Sequence, residues 1–167
     1  MTAPAPSAAT VDTGAAVFVL SDAITFVALL GASAALKVLE PPARMATPLQ
    51  LAVLTALLFA GSATFGIARR LPRLAYLLLA AFGLAFVVGE ALEWRALLAH
   101  GLGPACDLRH ASLFVVTGLH ALHVLIGAVV ALVISARRDR ARAGRVLSWY
   151  WAALDVAWLA ILLVVYS

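Results

Sequence analysis

One all-α bundle of five transmembrane helices is the fold this sequence predicts, and three observations predict it. Hydrophobic residues make up 65% of the chain and charged residues only 12%, and the mean hydropathy is +1.05; a surface so apolar cannot be solvated by water. Five apolar runs, near residues 15–36, 48–68, 74–98, 111–136 and 146–166, each reach the roughly 20 residues needed to cross a hydrocarbon core about 30 Å thick. The basic residues gather between particular runs, as orientation signals do. With 167 residues there is room for this bundle and no separate soluble domain, so the chain divides into a disordered segment, 1–14, and a single transmembrane domain, 15–167. A net charge of +4 would suggest nucleic acid in a soluble protein; here it reports membrane placement, and no nucleic-acid partner is expected.

The first run follows an Ala, Pro, Ser and Thr segment that lacks the basic start of a secretory signal. Breakers separate the runs: Pro41 and Pro42, Pro72, the segment from Gly101 to Pro104, and the Arg-rich stretch around Gly144. Arg69, Arg70 and Arg73 lie between the second and third runs, and Arg137, Arg138, Arg140, Arg142 and Arg145 between the fourth and fifth. The other two loops hold only Arg44 and Arg109. Positive charge stays inside, which predicts a cytoplasmic N-terminus and a periplasmic C-terminus. Trp149, Tyr150 and Trp151 then fall at the cytoplasmic start of the fifth helix and Trp94 near the outer end of the third, where amphipathic rings favour the interface.

Ionisable residues within the runs carry the functional information, because a charge at mid-bilayer costs at least about 2.5–3.5 kcal/mol. Six stand out: Asp22, Glu90, Glu93, His120, His123 and Asp155. Glu90 and Glu93 are three apart, as are His120 and His123, so each pair projects from one helical face toward the interior. A rise of about 1.5 Å per residue puts Glu90 level with His120 and His123 level with Asp155. These depths predict two interhelical pairs that tie consecutive helices together. No basic side chain is expected at the depth of Asp22, which should stay protonated or face a lipid headgroup or a partner subunit.

Metal chemistry fits the spacing poorly. A di-iron carboxylate bundle needs Glu and His three apart on the same helix, twice over, whereas here each helix carries two residues of one kind. Haem ligation lacks a histidine on an opposing helix core, since His100 and His110 lie in a loop and at a helix end. The single Cys106 rules out an intrachain disulfide and has no evident companions for a thiolate metal site. No metal site and no catalytic residue are therefore expected. Composition and spacing reach a polytopic protein with a polar interior, and no further.

Residues 110–127, HASLFVVTGLHALHVLIG, resemble the helix of haem-copper oxidase subunit III that carries a TG-x-H-x-x-HV-x-x-G core. Residues 17–36 resemble the family helix with a Ser followed by an acidic residue, here Ser21 and Asp22. Gly61 and Ser62 fall in the small-residue helix, GEALEW (89–94) in the acidic and aromatic helix end, and WYWAALDVAW (149–158) in the last helix, where Ala152 stands in place of the family's usual His. The two N-terminal helices of the long mitochondrial form have no counterpart, so the resemblance is to the short five-helix bacterial form.

This resemblance implies a non-catalytic component of a cytochrome c or quinol oxidase in the bacterial plasma (inner) membrane. Such a subunit stabilises subunit I and assists proton uptake or oxygen entry through bound lipid. It implies subunits I and II and membrane lipids as partners, haem and copper in subunit I, and no cofactor on this chain. Asp22 would be the carboxylate at the lipid or subunit interface, and Glu90, Glu93, His120, His123 and Asp155 an interhelical polar network. An accessory protein of a bacterial nitric oxide reductase shares these motifs, and a small proton-coupled transporter stays open as an alternative of another class.

Overall fold

The computed structural model describes residues 8–39, 46–138 and 140–166. Five helices and no strand are found among them: α1 (Ala8–Leu39), α2 (Pro48–Ala63), α3 (Pro72–Ala99), α4 (Leu108–Ala136) and α5 (Ala141–Val164), with a short 3-10 turn, Thr64–Gly66, ending α2. All five are long and apolar enough to cross a membrane, as the composition predicts. Helix α1 begins at Ala8, within the segment expected to be disordered, while residues 1–7 lie outside the described residues, as do Pro41, Pro42 and Arg44.

Local chemistry fixes the ends. Thr47 caps α2 through a capping box with Gln50, and Pro48 occupies the first turn, where its missing N–H costs nothing. Pro72 opens α3 in the same way. Gly101, with φ of 76°, closes α3: its N–H donates to Leu98 O and that of Leu102 to Leu97 O, the paired bonds of a left-handed glycine stop. Asp107 caps α4 by accepting from the His110 N–H.

The fifth helix departs from expectation. It starts at Ala141, so Arg142, Arg145 and Gly144 ride its first turns instead of forming a loop. Position 144 needs a glycine because the Tyr76 hydroxyl occupies the space a side chain would take: a Cβ there would come 1.9 Å from it. Consequently the aromatic trio lies more than two turns inside the helix. Three successive residues point about 100° apart, so only Trp149 is exposed, while Tyr150 and Trp151 are buried.

Helices α3 and α4 share the largest interface; α2 packs on α3 and α5, and α1 on α4 and α5. Side-chain pairs set the register. Ser33 meets Ser112 at 2.6 Å and Asp22 meets His123, eleven residues apart on each helix, so α1 and α4 run antiparallel. Likewise α5 runs against α2, with the Trp158 Nε1–H donating to Thr55 Oγ1 (2.9 Å) and Trp151 Nε1–H toward Leu58 O (3.5 Å). The core is built on Trp151, Trp158, Phe86, Leu58, Leu79 and Leu113, all fully buried. Outward faces carry Val, Leu, Ile and Phe, and the buried polar residues include Glu90, Glu93, His120 and Thr117. That distribution suits a lipid solvent.

Candidate functional site: the polar interior

The register of α1 against α4 joins Asp22 to His123, Oδ1 to Nε2, at 2.9 Å. Nδ1 of His123 lies 2.7 Å from the Leu119 carbonyl, which can only accept, so Nδ1 carries a proton. Nε2 and the Asp22 carboxyl consequently share a second proton. Whichever partner holds it, the pair is neutral overall, which is what makes both groups tolerable inside a bilayer. The Tyr150 hydroxyl donates to His123 O at 2.9 Å, fixing the turn that carries the imidazole. Phe26 covers the ring edge-on at 5.6 Å.

Two expected pairings are thus corrected. Asp22 has a basic partner, and that partner is the His123 assigned from depth to Asp155. Asp155 turns instead toward α2, where Ser62 Oγ donates to its Oδ2, and the Tyr150 hydroxyl is the α5 group that reaches the turn of His123. Depth was nearly right for both carboxylates, but rotation about the helix axis decides contact.

Glu90 and His120 do not meet as a hydrogen-bonded pair either. Trp94 Nε1–H donates to Thr117 Oγ1 at 3.0 Å, and one turn back on α3 Glu90 comes level with the turn of α4 that holds His120. The imidazole, however, is turned to the aromatic side. It stacks on Trp158 (centroids 5.5 Å apart, planes at 24°) and meets Phe86 edge-on at 5.5 Å. Neither nitrogen of His120 and neither carboxyl oxygen of Glu90 has a hydrogen-bond partner among the described residues. Glu93 accepts from the Tyr166 hydroxyl at 2.8 Å, a contact that sequence reasoning missed because Tyr166 sits at the chain's far end.

A groove of about 380 Å³ runs between α1 and α5, lined by Val19, Asp22, Phe26, Leu30, Ala153 and Ala157 among others. Its only ionisable walls are Asp22 and Tyr150 among the described residues. Ala152, where the resemblance leads one to expect His, also lines it. Asp22 is therefore both paired with His123 and placed on an apolar groove.

Fold and interior together define a class: a polytopic helical membrane protein whose spans are joined by internal polar contacts. No protein-family model matches the chain. It is similar to cytochrome c oxidase subunit 3 of Corynebacterium diphtheriae, 34% identical over 91 residues, 50% of this chain and 44% of that one. A probable cytochrome c oxidase subunit 3 of Mycobacterium tuberculosis is 32% identical over 98 residues, 54% and 48% of the two chains. Cytochrome bo(3) ubiquinol oxidase subunit 3 of Pseudomonas aeruginosa is 34% identical over 92 residues, 50% and 44%. The chain spans about half the length of the curated relatives it matches. These matches make the chain similar, over about half its length, to subunit 3 of cytochrome c and ubiquinol oxidases, as its motifs lead one to expect.

Proposed function

We propose that this chain is a subunit III-like, non-catalytic component of a haem-copper respiratory oxidase in a bacterial plasma membrane. It packs on subunit I, in company with subunit II, and steadies the haem-copper centre during turnover. The observation that carries this reading is its similarity to subunit 3 of both cytochrome c and ubiquinol oxidases. Haem and copper belong to subunit I in this reading, and the donor geometry here supports it. Both His123 nitrogens are engaged, by Leu119 O and Asp22, and the His120 ring is enclosed by Trp158, Phe86 and Phe26. Bis-histidine ligation of a haem would need two opposed, free imidazoles.

The test is purification of the tagged chain in mild detergent from aerobically grown cells of its own source. The expected result is co-elution with a large haem protein whose reduced-minus-oxidised spectrum is that of a haem-copper oxidase. Elution alone, or with a partner that holds no haem, overturns the reading; co-elution with a nitric oxide reductase overturns the oxidase assignment specifically.

A further inference from the structure

At the opposite end of the bundle from the Arg-rich segments, the turn before α4 carries Cys106, Asp107 and His110, and each offers a ligand atom within 4.8 Å of the other two. We propose that this triad is a binding site for a divalent transition ion of the zinc class.

Sequence spacing hides it, because Cys106 and His110 are four apart across a helix start. The fold exposes it. The Cys106 N–H bonds to Gly103 O at 3.0 Å, a turn that brings the thiol back over the helix end. Capping accounts for Asp107 Oδ1, which accepts the His110 N–H at 2.7 Å. It does not account for Oδ2, which faces the ring Nδ1 of the same histidine at 2.7 Å, or for the Cys106 thiol on the same carboxylate. His110 is nearly fully buried, and its Nε2 has no partner among the described residues. Cys106 is exposed and Asp107 partly so, which leaves a route for an ion.

Thiolate, imidazole and carboxylate together select zinc over magnesium or calcium, which take oxygen ligands. Bond lengths near 2.0–2.3 Å at tetrahedral angles put the donor atoms about 3.4–3.6 Å apart. The contact between Asp107 and His110 must therefore open by under 1 Å, and the exposed thiol, within 4.8 Å of both, swing in by at most about 1.3 Å. Binding forms one metal–sulfur, one metal–nitrogen and one metal–oxygen bond. It releases the thiol proton to solvent and moves the imidazole proton from Nδ1 to Nε2. A fourth position is left for water.

The experiment is titration of the purified full-length chain in detergent with cobalt(II), whose thiolate charge-transfer absorption reports a Co–S bond, followed by displacement with zinc. Saturation at one equivalent is expected, with the band bleached by zinc. Cys106→Ser, at an exposed position, abolishes the band. Asp107→Asn keeps a competent helix cap and, with an anionic ligand lost, weakens binding by at least about 10-fold, the lower end for an outer-shell loss. Absence of a saturable band, a band that persists in Cys106→Ser, or unchanged affinity in Asp107→Asn would each overturn the proposal.

Discussion

At the residue scale, the Asp22–His123 pair is the contact most open to measurement. Removing one member leaves the other polar and unpaired in an apolar interior, so Asp22→Ala and His123→Ala should each destabilise more than half of what the double variant does. A double-mutant cycle on thermal unfolding in detergent should give a coupling of about 0.5–2 kcal/mol. The His123 and Asp155 cycle, by contrast, should be additive, since these two residues are not in contact. Asp107 gives a pH test. The His110 backbone N–H, then its ring and the Cys106 thiol, hold this carboxyl below its usual value of 3.8. A depressed pKa means the stabilisation is complete above that value and is lost as pH falls through the lower, folded one. Thermal scans below about pH 4 should therefore show an acid loss that Asp107→Asn reduces. The six ionisable residues inside the spans were legible in the sequence, because bilayer chemistry marks them, whereas the burial of His110 at the start of α4 was not. Their partners were not: depth along a helix follows from counting, whereas rotation about its axis depends on packing that no single run encodes.

At the element scale, Trp151 organises the bundle. Its indole is enclosed by glycines on three helices: a Cβ at Gly83 would come 2.9 Å from it, at Gly127 3.0 Å and at Gly61 3.2 Å. Close approach of small residues is the usual way membrane helices pack, and here one large ring fills the space those glycines leave. Gly83→Ala gains about 1 kcal/mol of helix propensity but overpacks the ring at a cost of about 1–3 kcal/mol. It should therefore destabilise the native chain and stabilise Trp151→Phe, a change of sign readable as melting temperature. Thr47→Ala removes the α2 cap and should cost about 0.5–2 kcal/mol. The five helices were readable from hydropathy, and the starts of α2 and α3 from Pro48 and Pro72. The start of α5 was not, because Gly144 and its arginines look like a loop until Tyr76 is seen beside the glycine.

At the scale of the whole molecule, charge and apolar surface are sorted in two directions, charge along the bundle and hydrophobicity across it. Arginines cluster beside the α2–α3 and α4–α5 connections, and exposed Val, Leu and Ile side chains cover the helices between. The positive-inside bias predicts that a reporter fused at the C-terminus is active only if it is of the periplasmic type. Activity of a cytoplasmic-type reporter there would contradict the orientation inferred from the arginines.

The attachment of α1 to α4 and α5 has a consequence in time. His123 follows Asp22 by about 100 residues, so at about 5–20 residues per second the ribosome needs roughly 5–20 s to deliver the partner of a helix already made. During that interval Asp22 sits unpaired, and its insertion penalty of about 2.5–3.5 kcal/mol cancels the contribution of roughly six Leu or Ile residues. The first helix thus carries an unpaired carboxyl until the fourth is made. A nascent chain stopped before α4 should integrate poorly in a translocon assay, and Asp22→Leu should restore it; equal integration of both would mean that α1 is held by something other than its late-arriving histidine.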